Sequence, residues 1–172
     1  MRILLLICML GLYSLTSFAQ AINEMTRDRT VGYLEEQLNE IKDRMSCPTC
    51  NKTFRQITCW ILQEGNININ ETVKYIGDDK SYTTSHLFDP ALIDTLIFLP
   101  DNDDIMRIGI KFSSNCVTQQ TQNSGNKVRS STYTNIIYFN FLKGDGKNED
   151  RIRETILHLK ELSKKDKINL HN

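Results

Sequence analysis

Residues 132–142 read TYTNIIYFNFL, and this stretch decides the fold. It is filled with β-branched and aromatic residues, and its apolar side chains recur at every second position. This pattern predicts a strand with one buried face. The side chains predicted to share that face are Tyr133, Ile137, Phe139 and Phe141. A Gly-Asp-Gly turn at 144–146 follows, and then apolar residues with helical spacing predict a helix over about 148–164.

The same alternation extends upstream and predicts strands over about 54–142. Turn signals at Gly65-Asn66, Asp89-Pro90 and 100–104 divide this region. Inward-facing side chains are predicted at Ile57, Cys59, Ile61, Ile108, Ile110 and Phe112. The polar stretch Thr118–Ser131 holds almost no apolar residue, so it predicts a long exposed loop and a candidate partner surface.

An amphipathic helix is predicted near the N-terminus, over about 26–45, with Thr26 as its N-terminal cap. Its apolar stripe consists of Val31, Leu34, Leu38, Ile41 and Met45. The sequence therefore predicts the α+β class. We expect an N-terminal helix, a bent antiparallel sheet or small barrel of about six to seven strands, and a C-terminal helix packed on it.

The first 19 residues have the features of a cleavable signal peptide. Arg2 is followed by an apolar run from Ile3 to about Leu15, and small residues at Ser17 and Ala19 suit cleavage after Ala19. The run is shorter than the roughly 20 residues that a membrane-spanning helix needs. We expect residues 20–172 to form one secreted or periplasmic domain without a transmembrane segment. The Phe18-Ala19-Gln20 ending resembles export signals of one group of Gram-negative bacteria.

Charge and size narrow the classes of partner. The chain has 21 basic and 21 acidic residues, and cleavage after Ala19 removes only Arg2 among them. Nucleic-acid affinity depends on clustered Lys and Arg, so we expect no nucleic-acid partner. A mature chain of this length can bury one hydrophobic core. An unknown protein or small ligand remains the expected partner.

The C-terminal segment looks like a pleckstrin-homology-like barrel, in which a bent antiparallel sheet is closed by a C-terminal helix. The resemblance rests on the strand 135–142, the Gly-Asp-Gly turn, and the helix that carries Arg151, Ile156, His158 and Leu159. The whole chain also resembles short exported bacterial proteins that begin with a Thr-capped helix, here residues 26–34. That group has no established activity. Residues 63–71 are neutral to acidic, so the resemblance implies no phosphoinositide site.

Four cysteines follow the predicted cleavage site: Cys47, Cys50, Cys59 and Cys116. In an oxidising compartment an even number favours structural disulfides, with three possible pairings, or buried small side chains. Cys47 and Cys50 form a C-x-x-C motif, which is also found in redox sites and in zinc half-sites. The motif follows the predicted end of a helix, where the dipole disfavours a thiolate, and its spacing to Cys59 and Cys116 is atypical of zinc. The structural interpretation is favoured.

The sequence contains no motif of the common hydrolases, metalloproteases or nucleotide-binding proteins. His86, His158 and His171 have no motif partner, and the aspartates at 101–104 lack the glycine of an EF-hand loop. We therefore expect no cofactor, metal or catalytic residue. The favoured function is a non-enzymatic binding or accessory domain. The alternative is a thiol–disulfide redox protein acting through Cys47 and Cys50.

Overall fold

The structure is a computed structural model that covers most of the chain beyond residue 21. The residues it describes are 22, 24–46, 52–62, 65–78, 80–101, 104–123, 128–144 and 146–170. The predicted signal peptide, Cys47 and Cys50 lie outside these ranges.

The described residues form two α-helices and nine strands, which is the predicted α+β class. The helices are α1 (Arg27–Asn39) and α2 (Asn148–Leu170), and a short 3-10 helix spans Pro90–Leu92. The strands are β1 (Met45–Ser46), β2 (Lys52–Ile61), β3 (Ile67–Tyr75), β4 (Ser81–Phe88), β5 (Ile93–Pro100), β6 (Ile105–Phe112), β7 (Val117–Asn123), β8 (Val128–Thr134) and β9 (Ile136–Leu142).

The strands are arranged in two antiparallel sheets. One has six strands in the order β1-β2-β3-β4-β7-β8, and the other has three in the order β5-β6-β9. Within the described ranges the sheets do not close into a barrel, so the small-barrel alternative is wrong. The strands outnumber the six to seven predicted because the polar stretch after β6 is also part of the sheet.

Three lengths of chain pass from one sheet into the other and bend where they cross. β4 leads into β5 through Asp89 and the 3-10 helix, β6 leads into β7 through residues 113–116, and β8 leads into β9 through Asn135. The pairing is continuous across these bends, because β4 pairs with β7, β5 with β6, β7 with β8 and β6 with β9. Strands that change sheet at a bend are the usual way to make the corner of a two-sheet fold.

The stretch Thr118–Ser131 is not the long loop that we expected. Val117–Asn123 pairs with β4, and Val128–Thr134 pairs with Val117–Asn123. The prediction was wrong because it required apolar alternation. β7 is buried only at Val117, and its remaining residues are half-buried Thr, Gln and Asn. Ladder hydrogen bonds hold such a strand without an apolar face.

Tyr133 was predicted to point inward with Ile137, Phe139 and Phe141, and for Tyr133 this is wrong. Its side chain is 74% exposed, whereas the other three are buried. The bend at Asn135 separates β8 from β9 and shifts the alternation by one residue. Such a shift moves every following side chain to the opposite face.

One apolar core lies between the sheets and the helices. α1 contributes Val31, Leu34 and Leu38, and Ile41 just beyond it is also buried. α2 contributes Ile152, Ile156 and Leu159. The largest fully buried side chains contributed by the strands are Phe54, Phe112, Phe139 and Phe141. Aromatic rings also meet across the core, and the centroids of Phe88 and Phe112 lie 5.2 Å apart.

α1 is shorter than its predicted range. It ends at Asn39, and Asp43 adopts a left-handed conformation (φ 62°) that helps to turn the chain back. Met45, predicted to be helical, instead pairs with Thr53 in the sheet. Thr26 occupies the N-cap position, but its side chain makes no capping hydrogen bond. Its carbonyl accepts the Thr30 hydroxyl at 2.8 Å.

α1 also covers the part of the β2 edge that the two-residue strand β1 does not pair with. The Asn39 side chain accepts the Ile57 amide proton at 2.8 Å and donates to the Ile57 carbonyl at 2.6 Å. One turn earlier, Glu35 accepts the amide proton of Cys59 at 2.6 Å. These side chains take the place of a neighbouring strand and satisfy backbone groups that would otherwise be unpaired.

α2 extends to Leu170, six residues beyond its predicted end. Ion pairs tie this last part to the domain. Arg27 lies 2.7 Å from Asp166, and Lys167 pairs with Asp89 beside the 3-10 helix. The end of α2 is therefore held by ion pairs that the helical spacing does not reveal.

Candidate functional site

The inner face of the six-stranded sheet, which faces the core, changes from apolar to polar along its length. Near the bend where β4 and β7 meet the other sheet, the inward-facing side chains are buried and apolar. They are Ile67 on β3, Phe88 on β4 and Val117 on β7. Two cross-strand rows farther away, Glu71 lies opposite Thr84, which lies opposite Thr121. Directly opposed residues point to the same face of a sheet. A carboxylate and two hydroxyls therefore stand where the core pattern would place apolar groups.

A cavity of about 390 Å³ opens at this polar end of the sheet. Its volume falls within the range of small-molecule sites, roughly 300–1,000 Å³. The residues that line it come from β2, β3, β4 and β7, and they are Lys52, Glu71, Val73, Tyr75, Tyr82, Thr84 and Thr121.

Lys52 and Glu71 form the charged centre of the cavity. The Lys52 Nζ lies 3.1 Å from the Glu71 Oε2, and their side chains are only 20% and 11% exposed. The same ammonium sits 4.6 Å from the centre of the Phe54 ring, in a cation–π arrangement. The second oxygen of Glu71, Oε1, is buried and has no hydrogen-bond partner among the described residues. A buried acceptor without a donor is destabilising, by about 1–3 kcal/mol or more for a charged group.

Two tyrosines border the cavity. The rings of Tyr75 and Tyr82 meet edge to face with centroids 5.6 Å apart. The Tyr82 hydroxyl donates to Asp78 at 2.7 Å, which fixes its ring. The side-chain oxygens of Thr84 and Thr121 lie 3.5 Å apart. The lining thus contains aromatic rings, a carboxylate, an ammonium, and hydroxyls that can both donate and accept hydrogen bonds. These groups suit a ligand rich in hydroxyl groups.

His86 lies one row closer to the corner and is shielded from water. It is 5% exposed, and its ring meets Phe139 edge to face at 5.1 Å. Burial lowers its pKa to about 4, and its Nδ1 has no hydrogen-bond partner among the described residues. His86, which has no motif partner in the sequence, is a neutral imidazole in the core.

The other residues singled out from the sequence make contacts within the fold. His158 is 9% exposed, and its Nε2 lies 3.0 Å from the Met25 carbonyl. Asp101 pairs with Arg107 beside the turn between β5 and β6. In the parts of the chain that the structure covers, no three His, Cys, Asp or Glu residues are grouped closely enough to hold a metal ion.

Cys59 and Cys116 are free thiols packed against the core. They do not pair with each other, so the one of the three possible pairings that joins Cys59 to Cys116 is absent. Burial, with a smaller contribution from nearby Glu35, raises the pKa of Cys59 well above its usual value. Because a thiolate is the reactive form, Cys59 is a poor nucleophile. Cys47 and Cys50 lie outside the described residues, and their disulfide or redox role remains a prediction.

Spacing along the sequence does not predict this cavity, although the sequence contains one signal of it. Ile67, Ile69 and Val73 mark the inward positions of β3, and Glu71 occupies the inward position between them. A charged residue at a core position of a strand indicates a partner or a site. The residues that meet Glu71 lie on three other strands, and their registers are not visible in the sequence.

Comparison of the chain with protein-family models, curated proteins and solved structures finds no match. Of the helices described, none is both long and apolar enough to cross a membrane.

Proposed function

We propose that this chain is an exported, non-enzymatic binding domain, and that the inner-face cavity binds a small neutral polyol such as a monosaccharide. The observation that carries the proposal is Glu71. It lines a cavity of ligand size, and its buried Oε1 lacks a donor. Oε1 is screened from solvent in the unliganded protein, so we expect the Glu71 carboxylate to rotate on binding. A ligand hydroxyl then supplies the missing donor and removes the cost of an unpaired buried acceptor.

The neighbouring groups favour a neutral polyol over a charged ligand. Lys52 and Glu71 already neutralise each other at 3.1 Å, so neither a cation nor an anion finds an unopposed countercharge there. A polyol can donate to Glu71 and accept from the ammonium, while the two threonines match its remaining hydroxyls. Tyr75 is 42% exposed and offers a ring against which the apolar face of a sugar can pack.

The export part of the proposal rests on the first 19 residues. An N-terminal charge, a short apolar run and small residues before Gln20 support cleavage after Ala19. Expression of the full chain in an exporting host should yield a mature protein whose N-terminus is Gln20. Recovery of the protein with residues 1–19 still attached would contradict export by cleavage.

We also propose that the fold is an open variant of the pleckstrin-homology-like arrangement, with two bent sheets that, over the described part of the chain, do not close into a barrel. Two antiparallel sheets joined at bends and a C-terminal helix that contributes Ile152, Ile156 and Leu159 to the core support this proposal.

The binding proposal is tested by titration calorimetry of residues 20–172 against glucose, galactose, mannose and myo-inositol. We expect at least one of them to bind, and Glu71→Gln to weaken that binding at least tenfold, because the amide replaces an acceptor by a donor. Glu149→Gln is the matched control, since Glu149 pairs with Arg153 on the exposed side of α2. No binding of any of the four, or equal loss in both variants, would refute the proposal.

A further inference from the structure

The outer face of the six-stranded sheet points away from the core and carries three cross-strand rows without a charged residue. The first row runs Trp60, Asn68, Leu87, Thr118, Tyr133 across β2, β3, β4, β7 and β8. The second runs from Thr58 to Ser131 and consists entirely of Thr, Ser, Asn and Gln. The third runs from Gln56 through Thr72, Thr83 and Gln122 to Val128, where a bulge in β8 leaves Arg129 unpaired in the ladder. Of these residues, the 14 other than Val128 are all half-buried or exposed.

The lack of charge is unusual for a solvated surface of this protein. Charged residues make up 24% of the chain, so a patch of this size would hold about three of them at the average composition. Charged residues begin at the border of the patch, with Arg129 in the bulge of β8 beside the third row, and continue one row farther on, where Lys74 pairs with Thr53 beside the bulge at Arg55. The patch is therefore a bounded neutral area, and its polar groups are amides and hydroxyls.

An aromatic residue stands at each end of the first row. Trp60 is 36% exposed on β2, and Tyr133 is 74% exposed on β8. Four strand steps separate them, or about 19 Å at the usual spacing of about 4.8 Å. The side chains between them are partly fixed: the Ser85 hydroxyl donates to Asn68 at 2.9 Å, and the hydroxyls of Thr72 and Thr83 lie 3.0 Å apart.

We propose that this face binds a neutral polysaccharide, laid across the strands from Trp60 to Tyr133. Aromatic rings pack against the apolar faces of sugar rings, and the amides and hydroxyls between them both donate and accept hydrogen bonds to sugar hydroxyls. A neutral face lacks the Lys and Arg side chains that phosphate or acidic polymers require. The long span between the aromatic residues requires an extended chain of sugars, so this site is separate from the cavity and does not depend on it.

Trp60 is the only tryptophan in the protein, and its fluorescence therefore reports on this face without a mutation. The experiment titrates residues 20–172 with cellotetraose, maltotetraose and mannotetraose and records Trp60 emission. We expect one of these to shift the emission saturably. Tyr133→Ala should then raise the dissociation constant about tenfold, the equivalent of about 1.4 kcal/mol, with Trp60 still in place. Tyr138→Ala, which removes an exposed tyrosine of the other sheet, should leave it unchanged.

The outcomes separate this proposal from its competitors. An emission that none of the three sugars shifts, or an equal loss in the Tyr133 and Tyr138 variants, would overturn it. A shift of the Trp60 emission that occurs on raising the protein concentration without any sugar would also overturn it. That result would assign the face to contact with a second copy of the chain. Glu71→Gln should not alter tetrasaccharide binding here, so failure of the cavity proposal and failure of this one are distinguishable.

Discussion

Replacing Asn39 by alanine should destabilise the domain more than any other polar substitution on α1. Its amide makes both hydrogen bonds with the Ile57 backbone, at 2.6 and 2.8 Å, and a third with the Glu35 carbonyl at 3.0 Å. Ile57 is 1% exposed, so water has little access to the groups that the substitution leaves unpaired. The prediction tests whether α1 acts as the missing neighbour of β2.

The magnitude follows from those two backbone groups. Each buried donor or acceptor left without a partner costs about 1–3 kcal/mol. Alanine returns about 0.6 kcal/mol through its higher helix propensity. Two such groups, less the gain from alanine, should lower the free energy of unfolding by about 1–5 kcal/mol, with a midpoint near 3 kcal/mol. For a domain of this size each kcal/mol lowers the melting temperature by about 2–4 °C, so the expected decrease is about 10 °C.

The assay is urea unfolding of residues 20–172 followed by circular dichroism, with amide hydrogen exchange of Ile57 as a local readout. Glu36→Ala is the control, because Glu36 is exposed on the same helix and should change stability by less than about 0.5 kcal/mol. Exchange of the Ile57 amide should accelerate only in the Asn39 variant. If both variants unfold at the same urea concentration, the proposed role of Asn39 is wrong.

Three further predictions follow from burial. The unfolded chain protonates His86 near pH 6.5, whereas the folded chain does so only near pH 4, so stability should fall by about 3 kcal/mol as pH drops through this window. His86→Leu should remove that part of the slope in pH-dependent urea unfolding; an unchanged slope would contradict the buried neutral imidazole. Cys59 should react with iodoacetamide at pH 8 at least tenfold more slowly in the folded than in the unfolded protein, as followed by mass spectrometry of its peptide, and equal rates would contradict its raised pKa. Phe141→Ala should cost about 3–5 kcal/mol in thermal unfolding, because the ring is fully buried, and a loss below 1 kcal/mol would place Phe141 outside the core.

The sequence correctly predicts the strands in which buried and exposed side chains alternate strictly. The inward positions Ile108, Ile110 and Phe112 are buried, and Lys111 between them is exposed. On β2, the predicted alternation places Ile57 in the core and leaves Trp60 partly exposed on the other face. Local alternation is enough for these strands because each packs one face on the core along its whole length.

Alternation fails where a strand changes sheet or leaves the core. Tyr133 was misplaced because the bend at Asn135 resets the pattern, and nothing in residues 132–142 marks that bend. β7 was missed because its residues beyond Val117 carry no apolar side chains. Its partners on β4 and β8 define it as a strand, and strand pairing is a property of the whole fold.

The candidate site was predictable only in part. Glu71 at an inward position could have been noticed from the pattern of β3. Lys52, Thr84 and Thr121 reach it from β2, β4 and β7, through registers that depend on a bulge at residues 54–56 and on the strand crossings. Cys47 and Cys50 form a motif that can be identified from its spacing in the sequence. The residues of a cavity between four strands have no fixed spacing, so the sequence alone does not identify them.

The most direct test of the central claim is chemical-shift mapping of uniformly ¹⁵N-labelled residues 20–172 during titration with the monosaccharides and myo-inositol used for calorimetry. The account predicts saturable shifts for the backbone amides of Lys52, Glu71, Thr84 and Thr121, and loss of those shifts in Glu71→Gln. If saturating ligand shifts amides elsewhere and leaves these four unchanged, the cavity is not the binding site.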